Sequence, residues 1–182
     1  MKSICFAITG AIYEHQKAID QIIKLKDTYN ILPTVSETSA KCTSLCKNLE
    51  VITSNPIIDS IYKAEPIGPK ELSDALVICP CTGNTLAKIA NSISDNTVTM
   101  LAKVHQRNNK PIIIALSSND LLGLNMFNLA KLMNSKNFYF VPFYQDNPEK
   151  KPKSLKSDFD LLEKTLGLAL IGKQIEPVIT QN

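Results

Sequence analysis

Four short runs rich in hydroxyl, carboxamide and glycine residues carry most of the chemistry this sequence offers, and each directly follows an apolar segment. Thr9-Gly10-Ala11 comes after Ile4 to Ile8, and Ser36-Glu37-Thr38-Ser39 after Ile31 to Val35. Pro80-Cys81-Thr82-Gly83-Asn84-Thr85 comes after Ala75 to Cys79, and Ser117-Ser118-Asn119-Asp120 after Ile112 to Leu116. Side chains of these types donate hydrogen bonds and cap helices, and with backbone N–H groups at a helix N-terminus they suit an anion such as a phosphate. Gly83 lets the backbone pass close to a ligand, and Lys88 lies one turn into the helix that follows. Gly10 stands alone, so the G-x-G-x-x-G dinucleotide fingerprint is not met. Capping explains each turn taken singly. Their coincidence at one edge points to a phosphate-bearing ligand.

Acids and bases are thin by comparison. His15 and His105 read as surface residues, and Glu65 and Asp120 are the carboxylates nearest the proposed edge, Asp120 equally reading as a helix cap. Spacing assigns no Ser-His-Asp set. Five cysteines, Cys5, Cys42, Cys46, Cys79 and Cys81, are an odd number, which argues against a disulfide framework. The pairs Cys42/Cys46 and Cys79/Cys81 have spacings a four-thiolate zinc site uses, but Pro80 stiffens one and neither carries a knuckle glycine. They read as small packed thiols, and no metal site is assigned.

The elements that must position these turns follow from the apolar pattern. Ile4–Ile8, Ile31–Val35, Ala75–Cys79, Ile112–Leu116 and Phe138–Val141 are short apolar runs without polar alternation, as strands buried on both faces of a parallel sheet require. Between them Ala18 to Leu25, Leu86 to Ile93 and Met126 to Met133 have helical spacing, and Leu161 to Ala169 adds a last helix. Glu37 to Asn55 is weakly helical, Pro56 to Tyr62 reads as a short helix, and Glu65 to Lys70 as a loop. Alternating strands and helices predict an α/β fold, a three-layer α/β/α Rossmann-like (flavodoxin-like) sandwich with a mainly parallel sheet of five or six strands. Ligands of such sheets bind at the carboxyl ends of the strands, where all four turns fall.

Residues 1–182 are expected to form a single domain, with 44% hydrophobic and 20% charged residues, as in a globular protein. The net charge of +3 comes from scattered lysines, so nucleic acid is not indicated. The densest basic stretch, Lys150, Lys151, Lys153 and Lys156 beside Pro148 and Pro152, reads as a solvated loop, and the tail Pro177-Val178-Ile179 as a patch that packs on a neighbour. The longest apolar stretch is far below the roughly 20 residues that cross a bilayer. Met1-Lys2 leads into an apolar run that Gly10 interrupts, too short for a secretory h-region, so the expected location is cytoplasmic.

The run Pro80 to Asn91 resembles the P-x-[ST]-x-N-T-x-x-K-x-A loop of the flavoprotein family that includes FMN-dependent cysteine decarboxylases and phosphopantothenoylcysteine decarboxylase. Longer stretches are similar to the dipicolinate-forming branch of that family from spore-forming bacteria. They are Ala64 to Lys70, Arg107-Asn108, Asn119-Asp120-x-x-Gly123-Leu124-Asn125, Asn128-Leu129-x-Lys131-Leu132, and Tyr139 to Phe143 with Gln145-Asp146. The resemblance implies FMN at the strand ends and a homo-oligomer, often built on trimers. Carried over, Thr9, Gly10, Ala11 and Ser36 approach the phosphate and ribityl chain, Thr82, Asn84 and Thr85 form the phosphate-side loop, and Pro80, Gly83 and Ser117 complete the cofactor-binding set. The branch implies oxidation of a dihydrodipicolinate-type intermediate to dipicolinate in the mother cell, together with a separate A subunit of the synthase. Lys88, Asn119 and Asn125 are then donors for the small diacid substrate.

Two departures bear on this. Relatives place serine where Ala11 stands, which removes one hydroxyl worth about 1.5 to 3 kcal/mol as a charge-assisted hydrogen bond. The decarboxylases carry a histidine that aligns near Pro66, which argues against cysteine decarboxylation here. Two other readings are therefore a non-catalytic partner that stabilises the A subunit and, lower, an FMN-dependent cysteine decarboxylase.

Overall fold

The computed structural model describes residues 1–181. Its centre is a parallel sheet of four strands, β1 (Ser3–Ile8), β2 (Asn30–Val35), β3 (Ala75–Cys81) and β4 (Ile112–Ser118), in the order β2-β1-β3-β4. The far side of β4 is shared by two neighbours. Ile112 to Ile114 pair in parallel with β5 (Phe138–Phe140), and Ser117 and Ser118 pair antiparallel with β7 (Leu155–Ser157), which in turn holds β6 (Phe143–Tyr144). The sheet thus has seven strands, above the five or six expected, because the ribbon of β6 and β7 is too short to leave an apolar run in the sequence.

Strand alternation divides the core. Ile4, Phe6, Ile8, Val77, Cys79, Ile113 and Ala115 face α1 (His15–Leu25), α3 (Thr43–Thr53) and α8 (Leu162–Ala169). Cys5, Ala7, Leu76, Ile78, Ile114 and Leu116 face α5 (Gly83–Ala90), α6 (Thr97–Arg107) and α7 (Asn125–Met133). Short helices α2 (Glu37–Ala40) and α4 (Ile61–Ala64) fill the connections. Part of the expected loop after Tyr62 is a 3-10 turn, Glu65–Ile67, and residues 56–59 run beside β2 in place of the short helix expected there. They block the open edge of the sheet: Ile58 N donates to Pro33 O at 2.8 Å, Val35 N donates to Ile58 O at 3.0 Å, and Asn55 Nδ2 donates to Ile31 O at 2.8 Å. Pro33 has no N–H, so little of this edge is left for another strand. The tail folds back on its own chain, with Phe143 N donating to Val178 O and Thr180 N to Phe143 O, both at 3.0 Å.

α6 is the helix the apolar pattern did not yield. Its start is a reciprocal cap, Thr99 N to Asn96 Oδ1 at 3.0 Å and Asn96 N to Thr99 Oγ1 at 3.2 Å, which overrides the strand preference of Thr97, Val98 and Thr99. Both histidines, expected at the surface, are buried. His15 Nε2 meets Thr9 O at 2.8 Å. His105 Nδ1 donates to Leu101 O at 2.7 Å, which leaves Nε2 to accept from the Ser73 hydroxyl at 3.1 Å. Burial lowers the His105 pKa to about 4 from 6.5. Between those values the unfolded chain binds the proton that the folded chain refuses, so stability is full above about pH 6.5 and falls as pH drops toward 4, by about 3 kcal/mol in all. Urea denaturation from pH 7.5 down to 4.5 is expected to show this slope in the wild type and a flatter one in His105→Gln.

Candidate functional site

Thr9, at the end of β1, stitches two of the turns together. Its hydroxyl donates to Pro80 O at 2.7 Å and accepts from Thr82 N at 3.2 Å, so the first turn and the Pro80–Thr85 loop hold each other at the carboxyl edge of the sheet. The side chain of Thr38 lies over Gly10, with its methyl carbon 3.5 Å from the position a Cβ there would take, and this brings in the turn after β2. Ser36 caps α2, its Oγ accepting from Ser39 N at 3.3 Å. Thr82 caps α5 in the same way, accepting from Thr85 N at 3.4 Å, and its hydroxyl meets that of Thr85 at 3.1 Å. Ala11 and Pro80 are buried. Asn84 is exposed on the first turn of α5 and has no side-chain hydrogen bond among the described residues.

The last turn splits across the sheet. Ser117 follows the parity of Ile113 and Ala115 toward α1, whereas Ser118 points toward α5 and donates to Asp120 Oδ1 at 2.6 Å. Asp120 Oδ2 accepts from Asn125 Nδ2 at 2.7 Å, and the relay continues from Asn128 to Asn125 at 2.8 Å and from Asn91 to Asn128 at 3.1 Å. This polar chain presses on Gly83, where a Cβ would sit 2.7 Å from both Asp120 Oδ1 and Ser118 Oγ and 3.0 Å from Asn125 Nδ2. A side chain at this position would have to displace these three side chains from their hydrogen bonds.

Of the three residues expected to bind substrate, only Asn119 is exposed and uncommitted among the described residues. Asn125 is held by Asp120, and Lys88 Nζ is drawn along α5 to Asp95, with contacts of 2.8 and 2.9 Å. Sequence reasoning missed Glu14 and Lys156, which meet at this edge. Lys156 belongs to the basic stretch expected as a solvated loop, but it lies in β7 opposite Ser117 and Tyr144, with its ammonium 2.5 Å from Glu14 Oε1. Burial lowers its pKa, and the Glu14 carboxylate more than offsets this, so the net shift is upward. Glu14 gave no signal, since its partner stands 142 residues away.

The cysteines behave as packed thiols at Cys5, Cys79 and Cys81, all fully buried; burial pushes Cys5 and Cys81 up to about 12. No group that could hold a metal ion occurs among the described residues, and none of their helices is long and apolar enough to cross a membrane.

The capped turns supply hydroxyls and N–H groups without a cation, a donor set that suits a phosphate near the N-terminus of α5. A Cβ at Gly10 would meet the Thr38 methyl at 3.5 Å, an ordinary van der Waals contact, in contrast to the 2.7 Å approaches at Gly83. The residues present thus fit the phosphate end of FMN, and Ala11 itself offers no hydroxyl.

Residues 1–155 match the Flavoprotein family. The chain is 40% identical over 190 residues to the B subunit of dipicolinate synthase from Bacillus subtilis (strain 168), covering 100% of this chain and 94% of that protein. The crystal structure of the dipicolinate synthase B subunit from Bacillus halodurans C superposes with a TM-score of 0.94 at 39% identity, over 100% and 97% of the two chains. The FMN-dependent cysteine decarboxylase SpaF shares the fold, with a TM-score of 0.68 at 18% identity over 94% and 96%. The chain belongs to the Flavoprotein family.

Proposed function

We propose that this chain is the B subunit of a dipicolinate synthase, an oxidoreductase that works with a separate A subunit in the cytoplasm of a sporulating cell. It converts a dihydrodipicolinate-type diacid to dipicolinate. The observation that carries this reading is the correspondence with dipicolinate synthase B subunits along the whole of both chains. FMN, when bound, supplies a hydride acceptor for the aromatisation of the ring. The protein's part is to hold and orient. Thr9, Gly10, Ala11 and Ser36 lie toward the phosphate and ribityl chain, Thr82, Asn84 and Thr85 form the phosphate-side loop, and Pro80, Gly83 and Ser117 complete the cofactor-binding set. Asn119 presents a free donor for a carboxylate.

The rim supports a homo-oligomer. Ile12 and Tyr13 beside the first turn, and Leu124 and Phe127 beside the last, are 67% to 86% exposed, and a second copy that covered them would also close the site to water.

A second reading, a non-catalytic partner that stabilises the A subunit, is favoured by Ala11 and by the capping duties of Thr9, Ser36 and Thr82. Asn84→Ala separates the two. Its free amide serves no cap, so the variant should fold normally and, combined with the A subunit, form dipicolinate roughly tenfold more slowly or worse. An unchanged rate with the A subunit still bound would favour the non-catalytic reading.

A further inference from the structure

On the outer face of α6 a groove runs beside the end of α5. Its larger part, about 330 Å³, is floored by Ile89, Ile93 and Ala102, with Ser92 and Gln106 at its sides. Its smaller part, about 120 Å³, lies between α6 and the 3-10 turn Glu65–Ile67 and is lined by Glu65, Pro69, Met100 and Val104. Lys103 and Arg107 line both parts, so they stand on the ridge that joins them. None of the residues assigned to the cofactor turns lines either part.

The walls are fixed by close packing. A Cβ at Gly68 would lie 2.9 Å from Val104 Cβ and 3.6 Å from a guanidinium nitrogen of Arg107, so this turn presses on α6 and supports the guanidinium. Asn108 Nδ2 donates to Gly68 O at 2.9 Å and ties the turn to the end of the helix. Opposite, Ile93 N donates to Lys88 O at 2.9 Å, and Ser92 takes the left-handed φ of 58° that glycine accepts most readily. Ser92 thus keeps a hydroxyl at the groove, and Ile93 is left 45% exposed over it.

The charge is one-sided. Lys103 and Arg107 form no ion pair among the described residues, and no carboxylate lines the larger part. Glu65, the carboxylate of the smaller part, pairs with neither cation. Arg107 stands in the last turn of α6, where the helix dipole favours a cation, but Lys103 stands a turn earlier. An apolar floor flanked by unpaired cations matches an interface core with its polar rim, and it is complemented by an apolar side chain set between carboxylates. Lys103 and Arg107 are four apart on one helix face, about 6 Å from each other, so the matching carboxylates are one helical turn or two strand residues apart.

We propose that this groove docks the A subunit through a segment that bears an apolar anchor between two carboxylates. The anchor sits on Ile89, Ile93 and Ala102, and the carboxylates meet Lys103 and Arg107. The assignment rests on the subunit reading above and adds the surface that reading requires. It uses neither the cofactor turns nor the exposed rim of Ile12, Tyr13, Leu124 and Phe127, so the A subunit, a flavin and a second copy can be bound together.

Calorimetric titration of the purified A subunit into the intact chain tests this, with thermal melts to confirm that each variant is folded. Lys103→Glu/Arg107→Glu sets like charges against the acidic segment and is expected to weaken binding about tenfold or more, and Ile93→Ser several-fold. Wild-type affinity should fall several-fold between about 0.05 and 0.3 M NaCl, and the charge-reversed variant should lose most of that dependence. Lys136→Glu/Lys173→Glu, the same change of net charge at exposed positions elsewhere, should leave the affinity within about twofold of the wild type. Unchanged binding by the groove variants, or an equal loss in Lys136→Glu/Lys173→Glu, overturns the assignment while the subunit reading stands. So does a loss of self-association in Lys103→Glu/Arg107→Glu, seen by sedimentation, with A-subunit binding intact, which would make a second copy the occupant. A wild-type chain that does not bind the A subunit removes the subunit reading and the groove assignment with it.

Discussion

Lys156→Met is expected to cost about 3 kcal/mol of folding stability, because it strands the Glu14 carboxylate, 5% exposed, without its cation. Lys17 cannot take over fully: it stands 3.6 Å away on an exposed side chain. The reverse change is milder. In Glu14→Gln the Lys156 ammonium still lines a surface groove between α1 and β7 and reaches water by a small swing of a flexible chain. The double variant Glu14→Gln/Lys156→Met should therefore recover to within about 1 kcal/mol of the wild type, since both charges leave together. Urea melts of the four proteins at neutral pH check this. Equal losses in Lys156→Met and the double variant would mean that lost packing, and not an unpaired charge, sets the cost.

Thr9→Val should lower stability by about 2 to 4 kcal/mol and weaken ligand binding at the Pro80–Thr85 loop about tenfold or more. The substitution keeps the shape and the β-branch that suit β1, but Pro80 O and Thr82 N lose the hydroxyl that serves both. Thr9 is 1% exposed, so water does not replace it. Thr9→Ser retains the hydroxyl and should stay within about 1 kcal/mol of the wild type. Thermal melts and FMN titration of both variants separate the hydrogen-bond effect from packing.

Much of the fold was legible because its information is local. Ile4–Ile8 and Ile112–Leu116 are apolar on both faces, and burial on both faces is what a central parallel strand meets. The turns followed from capping chemistry, and Ser36 and Thr82 do cap the helices they precede. What was not legible depends on partners distant in the chain or on very short elements. The three residues of β7 carry no period, so Lys156 read as part of a basic loop. Gly83 shows the limit within the motif itself: its need for no side chain comes from Ser118, Asp120 and Asn125, which only the packing of α5 against α7 brings near. His105 looked polar by its neighbours Gln106 and Arg107, yet helical geometry turns it inward toward Ser73.

Whether the turns joined by Thr9 hold a flavin is decided by titrating FMN into the purified chain and following the flavin absorbance and fluorescence. Saturable binding at one FMN per chain is expected, weakened in Thr9→Val and retained in Thr9→Ser. A wild-type chain that leaves the flavin spectrum unchanged at saturating FMN would contradict the assignment.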